Sequence, residues 1–200
     1  NVIWQKNYLI PNGFWPEIIK ENGLGYLLGS LDGTVAQIDF NGNVLWIREH
    51  SMRIADIFPM ANNEYIIVGA NPGYYNQIWS RLTNTGSQVW TKLFPISLVW
   101  GNNIFLYTEP YQQLNDGNIM DIKAIPSSAG PNIWDISMKK LNTQTGNVMW
   151  EKRYVSNLSS SGVMHLRSYA IITDSIFSAF TFTSPILNQN KFGHYMRIDV

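Results

Sequence analysis

Apolar and polar residues alternate with a period of two along most of the chain, in short runs that end at Gly, Asn, Asp or Pro. That is the pattern of half-buried β-strands separated by tight turns. A first group of strands is predicted near 14–20, 25–30, 34–40 and 43–49, and a second near 53–59, 64–70, 77–83 and 87–93. A third falls near 103–109, 118–124, 132–141 and 147–154. A fourth falls near 163–173, 176–183 and 193–199, with residues 1–8 as its remaining strand. No stretch carries a helical period of useful length. The continuous apolar run Ile66–Ala70 is short and Gly-terminated, so it reads as a buried strand.

The groups are copies of one unit. NVIWQK (1–6), GNVLWIR (42–48), GSQVWTK (86–92) and GNVMWEK (146–152) share one shape, and Gly42, Gly86 and Gly146 each precede Trp46, Trp90 and Trp150 by four positions. Trp4 holds the same place in the first segment. Trp4, Trp46, Trp90 and Trp150 are spaced 42, 44 and 60 positions apart, the range of propeller blades. Alternating strands lead into each turn, as in TVAQIDFNG, QIWSRLTNTG and DISMKKLNTQTG, and HYMRIDV (194–200) repeats that strand. The expected architecture is all-β: a β-propeller of four-stranded antiparallel blades, with four repeat units in 1–200. Blades span about 9–49, 50–93, 94–154 and 155–200, the last completed by 1–8. The first strand is expected to pair beside His194–Val200 and close a four-bladed ring; the alternative is a place within a longer propeller or assembly. A twisted sheet cannot bury both faces alone, whereas blades packed side by side do so and keep only short edges. Trp46, Trp90 and Trp150 are expected to be largely buried between sheets.

Composition narrows the function classes. Charged residues make up 14% against 45% apolar, net charge is zero, and there are 8 Trp, 10 Tyr and 9 Phe. Acids and bases are mixed along the chain, so the basic footprint of a nucleic-acid binder is missing, as is a polybasic membrane patch. Without Cys there are no disulfides, thiolate metal sites or Cys nucleophiles. No apolar run approaches a membrane span of about 18 residues, and NVIWQKNYL does not read as a signal peptide.

LNTQTGNVMW (141–150) resembles the tryptophan-docking repeat of the quinoprotein-like propellers, roughly A-x-D-x-x-T-G-x-x-x-W. IDFNGNVLW (38–46) and LTNTGSQVW (82–90) are looser versions. The resemblance implies a PQQ-like repeat architecture in which Trp4, Trp46, Trp90 and Trp150, with Gly42, Gly86 and Gly146, do the docking. It implies no activity, since non-enzymatic relatives include outer-membrane-assembly propellers and many secreted repeat proteins. The enzymatic branch combines a calcium site, a catalytic Asp and often a Cys pair, and no Asp here matches the catalytic one. The expectation is therefore a chain without catalytic residues, cofactor or metal.

Other candidates reduce to ordinary structure. His50 falls in a different unit from His165 and His194, whereas a metal site needs converging ligands. Asn115–Asp121 (NDGNIMD) lacks the spacing of a calcium loop and reads as an Asn-Asp-Gly hairpin turn. Ser30–Val35 (SLDGTV) is an imperfect Asp-box, read as a turn at Asp32-Gly33. Asn157-Leu158-Ser159 is a glycosylation sequon.

The functional clue is loop length. Turns between third and fourth strands are short, and most first-to-second turns are short too (Asn62-Asn63, Asp174-Ser175), with Pro110–Gly117 longer. Extra length gathers in the second-to-third loops, 71–76, 126–131 and 184–192, and in the links 95–103 and 156–162. In a propeller these share one face, and binding residues sit on loops held by a rigid scaffold. Tyr74, Tyr75 and Trp100 are the candidate partner-binding residues there. The expected role is a non-catalytic binding or scaffold module for a protein or glycan partner, in an extracellular, cell-surface or periplasmic setting. Rivals are a quinoprotein-like or glycan-active domain whose catalytic residues lie outside this chain, and a structural subunit of a surface assembly.

Overall fold

The computed structural model describes residues 5–8, 16–71, 76–95, 111–126, 134–154, 163–173, 176–184 and 192–199, the last three segments by their backbone. The described elements are strands, apart from one 3-10 turn at Ala61–Asn63. No described helix is long and apolar enough to cross a membrane.

The first sheet has the order β1 (Pro16–Asn22), β2 (Gly25–Ser30), β3 (Thr34–Ile38), β4 (Val44–Glu49). The second runs β5 (Arg53–Pro59), β6 (Tyr65–Ala70), β7 (Asn76–Leu82), β8 (Gln88–Pro95). The third holds β9 (Tyr111–Gln113), β10 (Ile119–Pro126), β11 (Trp134–Leu141) and β12 (Val148–Tyr154). Three described strands make the fourth: β13 (Val163–Thr173), β14 (Ile176–Ser184) and β15 (Phe192–Asp199). Every pairing is antiparallel between consecutive strands. Most of these strands fall within a residue or two of where the alternation predicts them.

Third and fourth strands join through one turn design. The Asp39 carboxylate accepts the N–H groups of Asn41 (2.8 Å) and Asn43 (2.7 Å). Thr83 Oγ1 accepts those of Thr85 (3.3 Å) and Ser87 (3.1 Å), and Asn142 Oδ1 those of Gln144 (3.0 Å) and Thr145 (2.9 Å). A short polar side chain thus satisfies backbone donors that the turn would leave open. Gly42, Gly86 and Gly146 follow at φ 75°, 82° and 70°, the region L-residues avoid.

Immediately after the turn each fourth strand carries a β-bulge. Gln37 faces Trp46 but Ile38 faces Val44, so Leu45 is the extra residue. Val89 and Met149 are skipped in the same way. One extra residue reverses the alternation of the strand, and this places Trp46 on the face opposite to Val44. The bulged residues are apolar and half exposed, at 49%, 49% and 51%.

The chain divides into two compact units, 1–96 and 97–200. In the first, β5 packs across β1 and β2. The core between the sheets holds Leu27, Val35, Met52, Ile54, Ile57, Tyr65, Ile67, Ile78 and Leu82, with Ile18 and Trp46 packed against it. Gly29 admits Ile57, whose Cδ1 lies 2.7 Å from where a Cβ would stand. Lys20 bridges to Asp56 at 3.1 Å. In the second unit β10 lies beside β13, and Ile119, Met120, Ile122, Met138 and Leu141 are buried.

The alternation pattern is corrected at two places, the β9–β10 turn and residues 5–8. The strand expected at 103–109 lies outside the described residues, and the long Pro110–Gly117 turn is corrected. β9 occupies Tyr111–Gln113, and the turn is only Leu114–Asn118, closed by the Leu114 N–H to Asn118 O at 2.8 Å. Asn115-Asp116-Gly117 makes this possible, with Gly117 at φ 78°. Residues 5–8 carry no strand. Instead Lys6 Nζ donates to Asn43 Oδ1 at 2.6 Å and the Tyr8 hydroxyl to Gly42 O at 2.7 Å.

Glycine substitutions test this packing. At Gly33 (φ 97°) a Cβ would stand 2.1 Å from His50 O and 2.5 Å from Met52 O, whereas at Gly117 it would meet nothing within 4 Å. Gly117→Ala should cost only the backbone strain, about 1–2 kcal/mol, and Gly33→Ala clearly more. Equal losses in urea titration would contradict the tight approach at Gly33.

Candidate functional site

Two features offer positions where the fold presents chemistry: the contact between the first two sheets, and the loop end of those sheets. At the contact, the Trp46 ring lies nearly parallel to Tyr65, with centroids 5.6 Å apart and planes at 12°. Trp46 Nε1 donates to Asn84 O at 2.8 Å, in the β7–β8 turn. Tyr65 is fully buried and its hydroxyl has no hydrogen-bond partner. Burial, which Arg48 opposes, pushes its pKa far above the usual tyrosine range. Gly86 completes the arrangement, since a Cβ there would fall 2.7 Å from Arg48 Cγ and 3.3 Å from the Tyr65 hydroxyl.

Trp46, Trp90 and Trp150 are half-buried rather than largely buried. Each sits on the last strand of its sheet, where no further strand covers the backbone, so Trp46 stays partly open while its ring and N–H are engaged. Trp90, opposite Arg81, lies on the face of its sheet that turns away from the Leu82–Ile78 core. Trp150 has Lys152 Nζ 5.4 Å from its ring centroid. Trp4 lies outside the described residues.

At the loop end, the β2–β3 turn and the β4–β5 link meet. The His50 N–H donates to Gly33 O at 2.9 Å. Asp32 accepts the Thr34 N–H at 2.9 Å and Gly33 donates to Ser30 O at 3.1 Å, so Asp32-Gly33 is a turn. The β6–β7 loop is fastened at its base, where Asn76 N–H donates to Asn71 Oδ1 (3.0 Å) and Asn71 N–H to Asn76 O (3.2 Å). Tyr74 and Tyr75 in that loop, and Trp100, lie outside the described residues. His50 Nε2 is buried without a partner, and burial, then Arg48, hold its pKa below the usual histidine value.

The third sheet has a face that the sequence did not single out. Asp121 pairs in register with Lys139, and Lys139 with Glu151, which lie 3.9 Å apart as an ion pair. Asp135 accepts from Arg153 Nε at 2.6 Å, and Ser137 Oγ donates to Glu151 at 3.1 Å. Asp121, Asp135, Ser137 and Lys139 are buried. The signal was in DISMKKL, where polar residues alternate, but alternation alone does not say which face is inside. Asp116 is the polar anchor of the β9–β10 turn: burial would raise its pKa, but bonds to Lys140 and Asn118 outweigh that and lower it. Thr143 Oγ1 donates to Gly117 O at 3.0 Å, tying the two turns of this sheet together. Among the described residues no three His, Asp or Glu side chains converge as a metal set. The side chains of His165 and His194 lie outside the described residues.

No protein-family model and no curated protein matches the chain. Among solved structures it is similar to BamB from Moraxella catarrhalis, at 15% identity and a TM-score of 0.52, across 84% of this chain and 48% of that one. The chain thus spans about half the length of that structure. It is also similar to a protein of unknown function from Bacteroides caccae, at 8% identity and a TM-score of 0.44, across 98% of this chain and 81% of that one. With its antiparallel four-stranded sheets, the likeness to BamB defines the fold as all-β and of the β-propeller class.

Two outcomes follow from these contacts. Trp46→Ala removes a stack, a hydrogen bond and half-buried area. It should lower stability by about 2–4 kcal/mol, toward the low end for buried large aromatics, as read by denaturant titration. A loss within ~0.5 kcal/mol, the surface range, would contradict the dock. For His50, a lowered folded pKa means the unfolded chain takes up the proton first as pH falls. Its contribution is therefore lost as pH drops below about 6.5 toward the folded value. His50→Gln should flatten the stability–pH slope in that window, and unchanged slopes would exclude the effect.

Proposed function

We propose that this chain is a non-catalytic β-propeller module that binds a protein partner through the end carrying its long loops, in an exported or cell-envelope setting. The observation that carries this reading is the construction of that end. In the first sheet the β2–β3 turn is hydrogen-bonded to the β4–β5 link, and in the second the β6–β7 loop is closed at its base by Asn71 and Asn76. Adjacent tyrosines at 74 and 75, between Asn71 and Asn76 that hydrogen-bond to one another, fit recognition by aromatic anchors, which carry most of the energy in protein interfaces. A charged fraction of only 14% and zero net charge favour contact through aromatic and amide groups over electrostatic capture. The likeness to BamB supports the scaffold, and the sequence resemblance to non-enzymatic secreted and outer-membrane-assembly propellers supports the setting.

The test is partner capture by crosslinking, followed by affinity measurement with Tyr74→Ala, Tyr75→Ala and Trp100→Ala combined. The triple variant should bind at least about tenfold more weakly, as expected for interface anchors, with its unfolding midpoint unchanged. Equal affinity would remove these residues from the interface, and capture of a glycan in place of a protein would change the partner class.

A further inference from the structure

We propose that His50 is an acid-operated latch at the loop end of the first unit. With a neutral ring it holds the β4–β5 link down on the β2–β3 turn, and once protonated it lets the two part. The latch belongs to the fold of that end and stands whether or not a partner binds there.

The two segments meet closely. The His50 N–H donates to Gly33 O at 2.9 Å and so ties link to turn. There is no slack, since a Cβ on Gly33 would stand 2.1 Å from His50 O and 2.5 Å from Met52 O. The turn is closed by bonds of its own, Gly33 N–H to Ser30 O at 3.1 Å and Thr34 N–H to the Asp32 carboxylate at 2.9 Å. It therefore keeps its shape when the link lifts away. Met52 and Ile54, just beyond His50, are anchored in the core between the sheets, which confines the movement to the link.

His50 Nε2 is buried and has no hydrogen-bond partner. A neutral imidazole tolerates this, because it can carry its single proton on Nδ1, whereas the imidazolium carries one on each nitrogen. Protonation therefore forces an N–H onto a buried atom with no acceptor, and an unpaired buried donor is strongly destabilising. The elements that meet at this end carry Arg48 and Glu49 on β4, Asp32 in the β2–β3 turn, Glu17 near the start of β1 and Arg53 at the start of β5. The β6–β7 loop, 71–76, has no charged residue. No carboxylate among these groups accepts from His50 Nε2, and Asp32 accepts from Thr34 instead. Burial first, and the like charge of Arg48 second, favour the neutral ring. The closed form thus prevails above about pH 6.5 and gives way as pH falls below it. Lifting the link turns the ring out to water and breaks the bond to Gly33 in one movement.

Amide hydrogen exchange of the full chain, corrected for the intrinsic pH dependence of exchange, tests the latch. Between about pH 7.5 and about pH 5, the span over which histidine titrates, protection of the His50 amide should fall roughly tenfold or more. Protection of the Leu27 and Ile67 amides in the core should hold. His50→Gln, which cannot titrate, should abolish the pH dependence. Constant protection of the His50 amide would overturn the proposal, since a ring that rotates alone leaves the backbone bond intact. An equal loss at Leu27 and Ile67 would mean global acid unfolding and would overturn it too, as would the same loss in the glutamine variant. If that variant fails to fold, an NMR titration of the His50 ring in the unmodified chain decides. Proton uptake at the pH where the amide opens supports the latch, and uptake while the amide stays protected overturns it.

Discussion

A twisted four-stranded sheet presents two faces, and a chain this rich in apolar residues places side chains to be buried on both. Only a neighbouring sheet can cover them, so everything in the first unit depends on how one sheet is fastened to the next. The fastening is the indole of Trp46, which stacks on Tyr65 and donates to the Asn84 carbonyl across the gap. Aromatic stacking adds about 0.5–1.5 kcal/mol beyond the area it buries. The hydrogen bond adds direction: it ties the last strand of one sheet to a turn of the next, and so fixes their relative height.

Several local features serve that contact. Gly86 takes a left-handed backbone so that the turn can close, and its missing side chain leaves room for Arg48 and Tyr65. The bulge at Leu45 reverses the alternation of β4 between the turn and the tryptophan, which puts Trp46 on the same face as Val35 and Leu27. Bulges at Val89 and Met149 do the same to β8 and β12. They also distort the outermost strand of each sheet, which hinders pairing with a foreign edge. The side chain at the start of each turn, Asp39, Thr83 or Asn142, holds the geometry that both the glycine and the bulge need.

Much of this was legible in the sequence because period-two alternation and turn residues are local signals. The strands, the Gly-x-x-x-Trp spacing and the Asn-Asp-Gly turn could all be read directly. The bulges could not, since they exist only in the register between two strands. Tyr65 as the partner of Trp46 was hidden in EYIIVGA, where it reads as one more buried strand residue. The buried ions of the third sheet were hidden for another reason. Asp121, Asp135 and Lys139 look like the solvent side of amphipathic strands until the structure shows them buried. Half-burial of the tryptophans follows from their place on edge strands, which spacing does not reveal. The short turn after β9 was missed because Pro110 suggested a break where a strand begins one residue later.

Hydrogen exchange at the Trp46 indole tests the central claim directly, that this side chain fastens the first sheet to the second. If it does, the Nε1 proton exchanges only when the two sheets separate. Its protection should then match that of the Leu27 and Ile67 amides in the shared core. Rapid exchange of the indole proton, with those amides still protected, would show that the sheets are held together without it and would contradict the account.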